Sequence, residues 1–153
     1  MASGIEFSDL DWLAIILAIV ANMVIGFVWY AQWAPTGKVW MKAMNIPAGA
    51  KPEPKQMMVS LFLMVVGAFL LMFVLQHVYL AFRDAYQLDG ARLAGITYGD
   101  GASGAFYTWI GFFVPVYLGT VAWEGKPWKL FLVNVGYWLV TLQIAGAIFA
   151  WRL

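Results

Sequence analysis

Four long apolar runs dominate this chain, near residues 12–31, 57–82, 103–123 and 128–151, and none carries Asp, Glu, Lys or Arg in its interior. About 20 helical residues cross the roughly 30 Å hydrocarbon core of a bilayer. The runs show no period-two alternation, which excludes a transmembrane barrel and leaves helices. The expected fold is therefore all-α and integral to the membrane: four spans in a single membrane domain over residues 1–153. Composition points the same way. The chain is 63% hydrophobic and only 11% charged, whereas a soluble domain carries about a quarter of its residues as charges. The leader "MASGIEFSDLD" is acidic, and no small-residue cleavage site follows the first run, so that run reads as a span and not as a signal peptide.

Basic residues set the expected orientation. Lys38, Lys42, Lys51 and Lys55 fall between spans one and two, and Lys126 and Lys129 follow span three. The other side holds Arg83, Arg92 and Arg152. The positive-inside rule then places both lysine-bearing connections in the cytoplasm and both termini outside. Trp12, Trp33, Trp40, Trp123, Trp128 and Trp151 all fall near span ends, where an amphipathic ring is best solvated. Residues 46–56, "IPAGAKPEPKQ", read as an exposed connector on the cytoplasmic side. The preceding "TGKVWMKAM" reads as a short interfacial helix.

The phrase Gly-Lys-x-Trp occurs twice, in "TGKVWMK" (36–42) and "EGKPWKL" (124–130). "IGF" recurs at 25–27 and 110–112, and "LFLMVVGAFL" (61–70) aligns with "LFLVNVGYWL" (130–139). Matches in this order predict a tandem duplicated helical hairpin related by a parallel pseudo-twofold, with Gly26 equivalent to Gly111 and Gly67 to Gly136. Chance similarity between apolar runs is the alternative. The motifs "GFVWY…GKVWMKAM" and "WIGFFVP…WEGKPWKLFLVNVGYWLV" resemble those of an uncharacterised domain-of-unknown-function family of small bacterial inner-membrane proteins. The resemblance implies four helices in a bacterial membrane and carries over no catalytic residue.

In lipid, helices meet through small residues and interhelical hydrogen bonds. The expected contact stripes are Ala14, Ala18, Asn22 and Gly26, continuing to Tyr30, in span one; Gly104, Thr108, Gly111, Pro115 and Gly119 in span three; and Gly136, Gln143 and Ala147 in span four. Pro115 predicts a kink. Asn22, Thr108, Asn134, Thr141 and Gln143 either hydrogen-bond between helices or line a polar path. Lys38, Trp40, Lys126 and Trp128 are candidate lipid-headgroup contacts.

No reaction chemistry is legible. Cysteine is absent, His77 has no cluster of acidic or histidine partners to form a metal site, and no charged residue inside a span suits an ion-coupled pump. "GDGASG" (99–104) lacks the flanking strand and lysine of a phosphate loop, and reads as a flexible turn before a helix capped by Asp100 or Ser103. The expectation is a protein that is not an enzyme and has no cofactor. Its partners are the lipid bilayer and either copies of itself in a homo-oligomer or other membrane proteins; with a net charge of +1 it has no nucleic-acid partner. Two other functions fit the sequence. One is a small channel or carrier for a neutral or weakly polar solute. The other is a binder of a hydrophobic ligand (lipid, quinone or pigment) in the outer leaflet.

Overall fold

The computed structural model describes residues 6–47, 49–88 and 97–153, and among these the only regular structure is helical. Helix α1 is Trp12–Trp29, α2 is Pro35–Ala43, α3 is Pro54–Leu88, α4 is Tyr98–Thr108, α5 is Val114–Glu124 and α6 is Trp128–Arg152. A single π turn, Trp109–Phe113, joins α4 to α5 into one continuous span. Four helical stretches are long and apolar enough to cross a membrane: Trp12–Trp29, Pro54–Phe82, Tyr98–Glu124 and Trp128–Arg152. They agree with the sequence expectation to within a few residues, and the largest difference lies at the start of the third. Arg92 lies outside the described residues.

Helix starts follow local chemistry. Asp11 caps α1 through its carboxylate, which accepts the Ala14 amide at 3.0 Å. Thr97 caps α4 and Asp100 returns the bond to the Thr97 amide at 2.9 Å, forming a reciprocal capping box. The cap expected at Asp100 or Ser103 is therefore Thr97, and "GDGASG" is helical instead of a turn. Its glycines serve packing. A Cβ placed on Gly101 would lie 2.5 Å from the Gly146 carbonyl oxygen, so α4 presses backbone to backbone against α6. At Pro115 the chain accommodates the ring by winding wider. The Val114 amide reaches back to Trp109, five residues earlier, the spacing of a π turn.

Helix α6 lies at the centre and meets all the other spans. Asp11 accepts Arg152 Nε at 2.7 Å, which places the start of α1 beside the end of α6 and puts both termini at one end of the bundle. The buried core is concentrated at that terminal end, built by Ala14, Ile15, Met72, Tyr79, Leu142 and Phe149 with their neighbours. On α1 the buried residues are Ala14, Ile15, Ala18, Asn22 and Gly26, so the expected stripe is the packing face.

Span three differs from its expected stripe. Gly101 and Ala105 are its buried residues, whereas a Cβ on Gly111 or Gly119 would meet no atom within 4 Å. Gly104 of the expected stripe does pack, its Cβ position 3.0 Å from the Tyr79 hydroxyl of α3, but the glycine that approaches α6 is Gly101, one turn nearer the terminal end than the sequence placed the contact. The paired glycines also occupy unlike surroundings: Gly26 faces the Tyr137 ring and Gly136 faces Trp29, but Gly67 and Gly111 face open space.

The two Gly-Lys-x-Trp phrases fold differently too. Gly37 lies in the first turn of α2, where a Cβ would fall 2.0 Å from the Ala31 carbonyl oxygen. Beside it, the Thr36 hydroxyl donates to the Trp29 carbonyl at 2.5 Å and closes the end of α1. Gly125 instead ends α5 in the left-handed conformation, φ 64°, with the Lys126 amide donating to the Thr120 carbonyl at 3.1 Å.

Candidate functional site

Toward the lysine-bearing end the bundle opens. Every residue of α3 before Ala68 is exposed, and α5 has no buried residue. Between them lies a cavity of about 600 Å³ walled by the second half of α1, α2, the start of α3, α5 and the start of α6.

One wall is apolar: Met23 and Phe27 from α1 and Leu61 and Met64 from α3. The rest of the lining is largely aromatic and polar, with Tyr30, Tyr117, Asn134, Tyr137 and Trp138. Its side chains are held by bonds between helices. Tyr30 donates to Asn134 Oδ1 at 3.0 Å. Trp138 Nε1 donates to the Tyr117 hydroxyl at 2.8 Å. Tyr137 donates to Asn22 Oδ1 across the α1–α6 contact. The Tyr30 ring packs 5.2 Å from that of Tyr137 and 5.6 Å from that of Trp40. Further tryptophans pin the surrounding backbone: Trp29 Nε1 donates to the Val133 carbonyl at 3.0 Å and Trp109 Nε1 to that of Val135 at 2.7 Å. Glu124 and Lys126 sit at the rim, on either side of the Gly125 turn.

Two donors on the polar wall have no acceptor among the described residues. Asn134 uses its Oδ1 to receive Tyr30 and leaves its Nδ2 unengaged. The Tyr117 hydroxyl receives Trp138 and donates to nothing. The site can therefore offer hydrogen bonds to an acceptor while presenting apolar surface from α1 and α3.

The candidate path residues do not gather in one place. Asn22 is buried against Tyr137. Thr108 donates to the Gly104 carbonyl of its own helix at 2.8 Å. Gln143 donates to the Ala102 carbonyl at 3.1 Å across the α4–α6 contact, and Thr141 is buried with no partner for its hydroxyl among the described residues. Asn134 alone faces the cavity. Of the headgroup candidates, Trp40 and Lys126 line the cavity while Lys38 and Trp128 are exposed outside it. His77 lies elsewhere, its Nδ1 2.7 Å from the Phe73 carbonyl of its own helix. Among the described residues no three His, Asp or Glu side chains gather as a metal site.

Sequence reasoning missed Tyr117, Tyr137, Trp138 and Glu124 as members of one site. The available signal was the run Asn134, Tyr137, Trp138 on α6, three polar-tipped side chains within little more than one helical turn.

The span order, the two lysine-bearing turns and the aromatic wall all fall within one continuous match, residues 13–150, to the family described as a protein of unknown function, DUF1761. The chain belongs to the DUF1761 family. No curated relative and no solved structure matches it. DUF1761 membership extends across all four spans and so includes every wall of the cavity, but its description attaches no reaction or ligand to them.

Proposed function

We propose that this chain is a non-enzymatic, multi-pass protein of the bacterial inner membrane that binds an amphipathic molecule in the cavity between α1, α3, α5 and α6. The observation that carries this reading is the asymmetry of the cavity. One wall is hydrocarbon, the rest of the lining offers the free Asn134 and Tyr117 donors, and the α3 side is unpacked. Ligand sites typically combine an apolar lining with a few fixed polar groups in this size range. The lysine count supports an orientation with both termini outside and the cavity at the inner leaflet. On that orientation the aromatic site lies opposite the outer-leaflet position expected from sequence.

The test is extraction of the protein in mild detergent and native mass spectrometry. A bound amphiphile is expected on the wild type and absent from a Thr120→Trp variant, which fills the cavity from α5. Equal occupancy in the two proteins would overturn the site.

A second reading has its own support. Gly67, Gly111 and Gly119 present backbone to open space, and small residues in lipid-facing helices favour contact with further helices. Assembly as a homo-oligomer or as a subunit of a larger complex would cover them. The aligned motifs support an origin by hairpin duplication, after which the two halves diverged in packing. A channel lined by Asn22, Thr108, Asn134, Thr141 and Gln143 has less support, since of these only Asn134 faces the cavity, Asn22 and Gln143 bond between helices, Thr108 bonds its own helix and Thr141 is buried.

A further inference from the structure

We infer that the cavity takes a glycerophospholipid with a zwitterionic headgroup, drawn in from the leaflet at the lysine-bearing end; this inference rests on the amphiphile-binding reading above. Three features of the site, at successive depths, match three parts of such a molecule.

At the rim, Glu124 and Lys126 carry opposite charges two residues apart, held in place by the left-handed Gly125 turn. Among the described residues the ion pair is Asp11 with Arg152, so Glu124 and Lys126 are not consumed by pairing with each other. Lys126 suits a phosphodiester and Glu124 an ammonium group. A headgroup of net negative charge would satisfy Lys126 but meet repulsion from Glu124, and a cationic one would meet the reverse. The rim is thus complementary to a zwitterion, because charge complementarity selects partners by penalising like-charge contacts.

Deeper in, the engaged and free hydrogen-bonding atoms are not balanced. The oxygens of Asn134 and Tyr117 each already receive one hydrogen bond, from Tyr30 and Trp138, while the Asn134 amide and the Tyr117 hydroxyl still have hydrogens to donate. Ester carbonyls are acceptors and fit this requirement. The position is also appropriate. Asn134 lies six residues into α6 from its start at Trp128, just after Lys126, about 9 Å along the helix, so a polar contact follows the charged rim into the membrane in the order phosphate then ester.

The third feature is the unpacked first half of α3. Phe62 is 66% and Leu63 60% exposed, and Leu61 and Met64 turn toward the cavity from the same stretch. Acyl chains can leave along this wall without crossing a packed helix contact. A compact soluble metabolite would leave the wall uncovered.

The experiment uses full-length protein in nanodiscs or mild detergent, with phosphatidylethanolamine, phosphatidylglycerol and a long-chain quinone as competing probes read by native mass spectrometry. Phosphatidylethanolamine is expected to be retained over phosphatidylglycerol in the wild type. Glu124→Gln is expected to reduce that preference by about fivefold, as loss of one charge contact at a rim allows. Asn134→Leu is expected to weaken both phospholipids together. Both rim residues are at least partly exposed, and helical circular dichroism of each variant confirms that the fold persists. Phosphatidylglycerol binding as tightly as phosphatidylethanolamine, or a Glu124→Gln protein with unchanged preference, overturns the zwitterion assignment and leaves amphiphile binding standing. Displacement by the quinone but by neither phospholipid overturns the lipid class and also leaves that reading standing. No probe retained, with Thr120→Trp indistinguishable from wild type, removes both.

Discussion

Gly101 and Gly146 bring α4 and α6 so close that a Cβ on either would lie 2.5 Å from the other's carbonyl oxygen. Tyr79 from α3 completes the junction by donating to the Gly101 carbonyl at 2.5 Å. Three spans therefore meet at one point near the terminal end. A substitution at Gly146 would collide with both partners, since its Cβ would also lie 2.9 Å from the Tyr79 hydroxyl. Gly146→Ala and Gly101→Ala are expected to destabilise the bundle by about 1–3 kcal/mol, the usual cost of overpacking. Gly111→Leu, placed in open space, is expected to stay within about 0.5 kcal/mol of wild type. Thermal unfolding in detergent, followed by circular dichroism, measures all three, and a Gly111→Leu protein as unstable as Gly146→Ala would contradict the packing described.

The two Gly-Lys-x-Trp phrases make separable predictions. Gly125→Ala places a side chain in the left-handed region, at about 1–2 kcal/mol, and Gly125→Asn should recover part of the loss because asparagine tolerates that conformation. Gly37→Ala drives a Cβ into the Ala31 carbonyl, and Gly37→Asn should be no better. Rescue by asparagine at both positions, in the same unfolding assay, would mean the phrases share a conformation.

The buried Tyr137–Asn22 bond should also register. Tyr137→Phe leaves Asn22 Oδ1 without its donor at a position where Asn22 is 2% exposed. The expected cost is about 1 kcal/mol, between the small average for such bonds in membranes and the larger penalty for a stranded buried acceptor. A double-mutant cycle with Asn22→Leu should return a coupling energy of the same sign, and additive losses would show that the bond contributes nothing.

Asp11 gives a pH dependence. Partial burial pushes its carboxyl up, but the Arg152 guanidinium and the Ala14 amide outweigh that effect and hold it below its ordinary value of 3.8. A carboxylate whose pKa is depressed by folding adds stability that is present above its unfolded value and is lost as the pH falls through the folded one. Unfolding temperature should therefore fall more steeply in wild type than in Asp11→Asn as the pH drops below about 4. Parallel curves would show that the pair with Arg152 does not form.

Orientation is open to chemistry because the chain has no cysteine of its own. A cysteine at Ala50, in the lysine-rich connection, should resist a membrane-impermeant thiol reagent applied to intact cells, and one at Ser8 should react. The reverse pattern would move the cavity to the outer leaflet.

What the sequence determined was the number and extent of the spans and the packing face of α1. A segment enters lipid according to its own length and composition, and Ala14, Ala18, Asn22 and Gly26 announce a close contact whatever helix supplies the other side. Only the tertiary structure decided which glycines of the third span touch α6, why Gly37 and Gly125 serve different ends, and that Asn134, Tyr117 and the Glu124–Lys126 rim share one cavity. Those facts depend on distances between helices, and the helices alternate in direction. Residues far apart in sequence come to one depth only once α6 sits at the centre and α3 stands away from it.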